Sequence, residues 1–456
     1  MSDLQTLQGA RVLSRAEAES LAKRILGFSQ AEAARVSINS GNRGNTRFAV
    51  NQVSTGGDNF NTSITILSWI GKRSGSVTTN KLDDASLREA VQMSERIAKL
   101  SPEDPEAMPE LEPQQYDAID GWSDATAGLD PSTRAAATRE ITEAARQAGL
   151  ISTGYLETQA GASAVANSKG LFAYTRQTGL AFTTTVRTED GTGSGWAGTA
   201  SHDWSRVNPK ALATRAIDKA KRSQNPVAIE PGRYTVILEP TAVGNLVQLI
   251  SGALSARGAE EGRSFFSKQG GGTKVGLKVV DERVTLTSDP ADPEAYAAPF
   301  SGDGLPSRKT VWIENGVVKN LAYDRYWASR KGVAPVSAGG TLRMSGGTAS
   351  LDELIASTQR GLLVTRFWYI RGVDPRTILY TGLTRDGTFL IENGRITRAV
   401  KNLRFNESPI FMLNNLEAMG RAERVSASES GGPGSAIVVP PIKCREFNFT
   451  SLSDAI

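Results

Sequence analysis

Most metal and nucleophile chemistry in proteins uses histidine and cysteine, and this chain of 456 residues holds one of each, His202 and Cys444. A catalytic zinc needs three protein ligands, mostly histidine, and an open position. Two soft donors fall short of that, so a histidine-ligated zinc site is excluded by counting. A magnesium or calcium site built from oxygen ligands needs acidic and amide side chains at ligand spacing, and no such cluster stands out. A Ser/His/Asp mechanism needs one histidine and survives the count. His202 lies in Ser201-His202-Asp203-Trp204, but no Gly-x-Ser-x-Gly elbow accompanies it, so a loop histidine is expected. Cys444 stands between Lys443 and Arg445, cations of the kind that lower a thiol pKa. Its strand-like surroundings favour a plain buried cysteine instead. Gly270, Gly271 and Gly272 precede Thr273-Lys274-Val275-Gly276. This run lacks the spacing of a phosphate-binding loop and reads as a mobile loop.

The elements that must position these groups follow from periodicity. Ser14-Arg15-Ala16-Glu17 is a capping box opening a helix with Leu21, Ile25 and Leu26 on one face. Residues 47–53 and 63–70 mix β-branched and polar residues as strands do, and Gly71-Lys72-Arg73 is the turn after them. A helix is predicted over 84–100. Residues 101–115 hold four prolines and five acidic residues and read as an exposed linker or strap. Asp130-Pro131 and Asn208-Pro209 each start a helix, with a hairpin over 155–187 between them, turning at Asn167-Ser168-Lys169-Gly170. Beyond Asn225-Pro226 come a buried strand and a helix over 241–261, with Val243, Leu246, Ile250 and Leu254 at helical spacing and expected to be buried. Trp312-Ile313-Glu314-Asn315-Gly316 and Leu390-Ile391-Glu392-Asn393-Gly394 predict two hairpins of one antiparallel sheet or barrel.

Length implies more than one core. The expected division is an N-terminal α/β domain over 1–226, made of 1–100, the acidic linker 101–115 and 116–226, followed by a β-rich domain over 231–456. The fold class is mixed α+β: sheets flanked by helices, then a mostly antiparallel β sandwich or barrel with a packed helix. A net charge of +4 from 52 basic and 48 acidic residues, with no basic block, argues against nucleic-acid binding. No apolar run is long enough to span a membrane, and Met1 to Leu26 has no signal-peptide core. One cysteine allows no internal disulfide and fits a cytoplasmic location.

The order of segments resembles the TldD/PmbA family. The resemblance rests on an Arg/Asn-containing strand, Gly71-Lys72-Arg73 and Thr79-Asn80-Lys81-Leu82-Asp83 before a helix. It continues in Tyr234-Thr235-Val236-Ile237-Leu238-Glu239-Pro240, in Gly361-Leu362-Leu363-Val364-Thr365-Arg366-Phe367-Trp368, and in Gly387-Thr388-Phe389 before Leu390-Ile391-Glu392-Asn393-Gly394. TldD-type members of that family carry His-Glu-x-x-x-His on a signature helix. The histidines hold a zinc ion and the glutamate activates its water. The TldE (PmbA) type lacks these residues and pairs with a TldD-type subunit in an intracellular peptidase. Aligned without gaps, the motif falls here on Gln248, Leu249 and Ala253. The resemblance therefore implies a TldE-type subunit with no catalytic residue and no metal of its own, zinc being expected on the partner only. Such a subunit would join a TldD-type zinc partner as a homo- or heterodimer and help hold an extended or unfolded peptide. Gly270, Gly271, Gly272, Arg257 and Arg263 are expected to flank the cleft or interface. A homodimeric peptide-binding protein and a hydrolase with a non-zinc site are the alternatives.

Overall fold

The computed structural model describes residues 12–429, 432–434 and 436–453. The reading of Met1 to Leu26 therefore lies partly outside the described residues. The fold is mixed α+β, 23% helical and 41% strand.

The N-terminal half repeats one arrangement twice. Helix α1 (Arg15–Leu26), strands β1 (Ala33–Ala49), β2 (Gln52–Ile70) and β3 (Arg73–Thr79), and helix α2 (Asp84–Leu100) form the first unit. After a short helix α3 (Asp124–Ala127), the same order recurs as α4 (Pro131–Gln147), β4 (Ile151–Asn167), β5 (Phe172–Arg187), β6 (Ser194–Ser201) and α5 (Pro209–Arg222). The strands join in one antiparallel sheet of order β3-β2-β1-β4-β5-β6. Strand period puts Val36, Ile38 and Phe48 on the helix-covered face and Ser37, Asn39, Gly41 and Arg43 on the other. Glycine lets each unit's last helix lie against its outer strand. A Cβ at Gly75 would stand 2.1 Å from the Ser94 carbonyl on α2, and one at Gly195 2.2 Å from the Ala216 carbonyl on α5.

In the C-terminal half, β7 (Gly232–Leu238) leads into α6 (Pro240–Ser251) and α7 (Ala256–Glu260). A six-stranded sheet follows, built from β8 (Leu286–Ser288), β9 (Thr310–Glu314), β10 (Val317–Val318), β11 (Leu342–Met344), β17 (Glu423–Ser426) and β18 (Ala436–Val439). Helix α8 (Arg325–Lys331) and helix α9 (Leu351–Ala356) lie on either side of β11 in sequence. Strand β12 (Arg360–Asp374) pairs with β7 on one side and β13 (Leu379–Glu392) on the other. Through β15 (Leu403–Glu407) and β19 (Ile442–Leu452) the ring closes into a five-stranded barrel. Strands β14 (Arg395–Ala399) and β16 (Leu416–Met419) attach to it, and α10 (Pro409–Asn414) packs on α6. Phe367, Phe405, Phe447 and Phe449 pack together, with the first and third rings stacked 5.6 Å apart.

Several expectations are corrected. Residues 47–53 are not one strand: Val50 and Asn51 adopt φ of 51° and 60° and form the turn between β1 and β2. The helix expected over 241–261 breaks at Gly252, and Ser255 caps a new helix by accepting from the Gly258 N–H. Val243, Leu246, Ile250 and Leu254 are nonetheless all buried, because the bent segment keeps Leu254 against the same core. The two Asn-Gly hairpins turn as expected but belong to different sheets, β9–β10 in the six-stranded sheet and β13–β14 on the barrel. The acidic strap is tied down rather than exposed throughout. Glu110 is buried, accepts from the Trp69 indole at 3.1 Å and pairs with Arg35 at 3.4 Å. Among the described residues no helix is long and apolar enough to cross a membrane.

Candidate functional site

Helix α6 is the apolar pivot of the C-terminal half. Proline at its first turn suits a helix start, and Val243, Leu246, Val247 and Ile250 are fully buried. Within this apolar run stands one buried amide, Asn245. Its Oδ1 accepts from the Phe367 N–H of β12 at 3.1 Å, and its Nδ2 donates to the Ala427 carbonyl at 2.7 Å. One turn on, Gln248 donates to the same carbonyl at 2.6 Å. Two amides of the helix thus fasten the segment at Ala427 and the barrel strand together, which satisfies backbone groups that would be costly if buried unpaired.

Gln248 and Ala253, on which the ungapped reading of the sequence places the family's two histidines, end on different segments. Gln248 is on the last full turn of α6. Ala253 lies past its end, where its carbonyl accepts from Ser264 at 2.9 Å. Leu249 is half-buried against the core. An amide engaged with a carbonyl, an isobutyl group and a methyl group do not fit a zinc ion. Among the described residues no group of three or more histidine, cysteine, aspartate or glutamate side chains could hold a metal.

A groove opens around the end of α6. One part, about 200 Å³, is lined by Gln248, Ser251, Leu254, Trp312, Gly434 and Ile437. A neighbouring part of about 410 Å³ shares Ser251 and Ala338 and adds Ser255, Asp303, Tyr323 and Arg325. Burial pushes the Asp303 carboxyl up. Hydrogen bonds from Ser301 and the Leu305 N–H, with the Arg325 charge, outweigh this and hold it below the usual range. Arg325 lies 3.5 Å from it. The floor therefore offers hydroxyls, one amide and one carboxylate-guanidinium pair.

The other expected residues fall outside this lining. Gly270, Gly271 and Gly272 form an exposed turn with φ of 85°, 109° and 81°. Arg257 grips the strap, donating twice to Glu106 at 2.7 Å and once to Glu261 at 3.0 Å. The hydrogen bonds to Glu106 and then Glu261 raise its pKa further above the ordinary guanidinium value. Arg263 pairs with Glu261 on the same surface. Cys444 is fully buried in β19, and desolvation pushes its thiol well up, against the pull of its flanking cations. His202 is half-buried, with its ring 4.8 Å from that of Tyr296 in edge contact. Asn245, Ser251, Asp303 and Arg325 were not anticipated. Asn245 had a legible signal, a lone amide inside an apolar helix. Asp303 and Arg325 meet only through the tertiary fold.

With this geometry in place, three domain models described as PmbA/TldA metallopeptidase domain 1, central domain and C-terminal domain match residues 34–98, 124–224 and 231–451. The chain belongs to the PmbA/TldD family. It is 26% identical over 335 residues to a metalloprotease of Methanothermobacter thermautotrophicus, covering 67% of this chain and 71% of that protein. It is 24% identical over 255 residues to a zinc metalloprotease TldD homolog of Saccharolobus solfataricus, spanning 52% of this chain and 55% of the relative. The crystal structure of TldE from Thermococcus kodakarensis superposes with a TM-score of 0.83, at 19% identity, over 95% of this chain and all of that one, 100%. At that identity the likeness is one of fold.

Proposed function

We propose that this chain is a TldE (PmbA)-type subunit of a TldD–TldE-type peptidase system, without zinc chemistry of its own. It supports peptide binding and proteolysis by a TldD-type zinc partner. The observation that carries the reading is the signature helix itself. Its motif positions are Gln248, Leu249 and Ala253, the first of these is spent on a structural carbonyl, and the helix ends before the third. What remains at that place is a groove with hydrogen-bonding groups, whose described lining holds neither histidine nor cysteine and no metal donor set. Such a groove suits an extended peptide, whose own amides need partners. A cytoplasmic location is part of the proposal and accords with a single, buried cysteine.

The test is hydrolysis of an unstructured peptide by this chain alone, by a TldD-type partner alone and by the mixture, with zinc measured on each. Hydrolysis that needs the mixture, with zinc on the partner only, is the expected result. Hydrolysis and stoichiometric zinc in this chain alone would overturn the proposal. Peptide binding without any effect on the partner's rate would favour the homodimeric binder.

A further inference from the structure

The face of the N-terminal sheet turned away from its helices carries a second trough, of about 420 Å³. Its rows follow from the strand register. Asn61, Gly41, Gly161 and Gln177 stand abreast across β2, β1, β4 and β5. Asn59, Arg43 and Gln159 form the next row, and Ser63, Asn39 and Ser163 the one on the other side. The two central glycines lower the floor. A Cβ at Gly41 would stand 2.8 Å from the Ala160 carbonyl, so no larger residue fits there without a shift of the strands. Among the described residues Arg43 is the only charged side chain lining the trough, and no aromatic ring lines it. The side-chain amides of Asn59, Asn61 and Gln159 hydrogen-bond to no described part of the chain. The Gln177 Nε2 is buried and has no partner either.

Resting on the proposed function, we infer that this trough is a docking track for the backbone of an extended, uncharged polypeptide segment. It takes the chain that continues beyond the residues seated at the end of α6. Three features point to that occupant. An asparagine or glutamine amide repeats the donor and acceptor of a peptide group, so a row of them matches a backbone and is indifferent to its side chains. The lining has no carboxylate to hold a basic ligand and a single cation, Arg43, at its edge among neutral amides and hydroxyls, and the lack of a stacking ring selects against flat ligands. The trough also ends near the α6 groove, with one turn of the chain between them. Pro433 packs against Gly179, the cross-strand partner of Gln159, with its ring 3.2 Å from where a Cβ would stand, while the adjacent Gly434 lines the α6 groove. Gln177, with its idle N–H in the wall, needs an acceptor such as a peptide carbonyl.

The experiment is fluorescence anisotropy on the full chain with two labelled uncharged peptides of Gly, Ser, Asn and Thr. One is about twenty residues long, ~66 Å when extended, and the other about five. The double variant Asn59→Asp/Asn61→Asp changes two exposed positions, removes their N–H donors and places charge along the track. It should weaken the long peptide about tenfold and leave the short one unchanged, with an unaltered melting curve. Asn59→Gln/Asn61→Gln should restore binding. Long-peptide affinity within about twofold of the unaltered chain, with both peptides still bound, would overturn the track and leave the α6 groove standing. Failure of both peptides to bind the unaltered chain would overturn the track and the proposed function together. A shift in sedimenting mass on the Asp substitutions would assign the face to a second copy of this chain, and would overturn the track.

Discussion

Two sets of contacts join the sheet-bearing half to the barrel half, built from the same chemical groups under opposite conditions. At the inner seam, Arg366 of β12 lies 3.0 Å from Asp386 of β13, with side-chain exposures of 8% and 2%. Ser194 of β6 donates to the same carboxylate at 2.6 Å. The guanidinium sits between Trp196 and Trp368, 4.8 Å and 5.0 Å from the ring centres. Nearby, Lys219 of α5 meets Glu239, at the entrance to α6, at 2.6 Å. At the outer clamp, Arg257 holds Glu106 of the strap with better hydrogen-bond geometry, two bonds of 2.7 Å, but with a third of each side chain in water. Set against the Arg366–Asp386 pair, distance alone would rank the clamp first. Desolvation ranks the seam first, because a charge that has left water has no substitute for its lost partner.

The largest predicted effect follows from that. Asp386 has φ of 54°, so asparagine, which tolerates the left-handed region, removes the charge without adding backbone strain. Asp386→Asn strands Arg366 in a dry site and should cost about 3–5 kcal/mol of stability, measured by chemical denaturation. Pairing it with Arg366→Met should regain most of that loss, since a buried ion pair replaced by apolar volume is close to neutral. A double variant as unstable as the single one would show that Asp386 matters through Ser194 and the backbone instead.

The second effect is smaller and depends on pH. His202 is the only histidine, and it stands just past the end of β6, against Tyr296. Burial first, then Arg206 and Arg424, push its pKa below the ordinary 6.5, while Asp203 and Glu294 pull the other way. Its Nδ1 is buried and unpartnered. The folded state thus binds this proton less readily than the unfolded chain. The stability contribution is present above 6.5 and is lost as pH falls through that value toward the folded pKa. Unfolding midpoints measured from pH 7.5 to 5.5 should fall, and His202→Asn should flatten that part of the profile. An unchanged slope in the variant would assign the pH dependence to carboxylates.

These contrasts also mark what the sequence could convey. Local signals carried the helices, because caps and spacing are written in adjacent residues. Ser14 with Glu17, Asp130 before Pro131 and Asn208 before Pro209 all cap as read. The mixed fold and the burial of Val243, Leu246, Ile250 and Leu254 followed from periodicity in the same way. The doubled α-β-β-β-α arrangement escaped notice, since what its halves share is a packing solution, glycine under a helix at Gly75 and Gly195, and not a motif. The break at Gly252 was hidden because Leu254 returns to the core after it. At the candidate site, the placing of the motif on Gln248, Leu249 and Ala253 rests on the ungapped resemblance to the family pattern, since the count of histidines speaks only to the chemistry and not to the positions. The groove was not legible, because Ser251, Trp312, Asp303 and Gly434 come from four separate segments. Arg257 and Arg263, expected at a cleft or interface, follow the helix in sequence but do not line the groove. The fold sets Arg257 on the strap through Glu106 and pairs Arg263 with Glu261.

The smallest effect belongs to that strap, and it is the sharpest test of the ranking. Arg257→Ala removes both bonds to Glu106 and the one to Glu261, yet leaves these carboxylates free to take up water. The surrounding strap keeps its other anchors, Glu110 with Trp69 and Arg35, and Lys169 with Glu112 at 2.8 Å. Global unfolding should therefore barely move. What should change is local opening, seen as faster proteolysis between residues 101 and 109 at low ionic strength. At about 1 M salt, where screening acts within roughly 3 Å, the unaltered chain should approach the variant's cleavage rate. A drop in global stability as large as that of Asp386→Asn would reverse the ranking. It would mean that the strap, and not the buried seam, sets how firmly the two halves are joined.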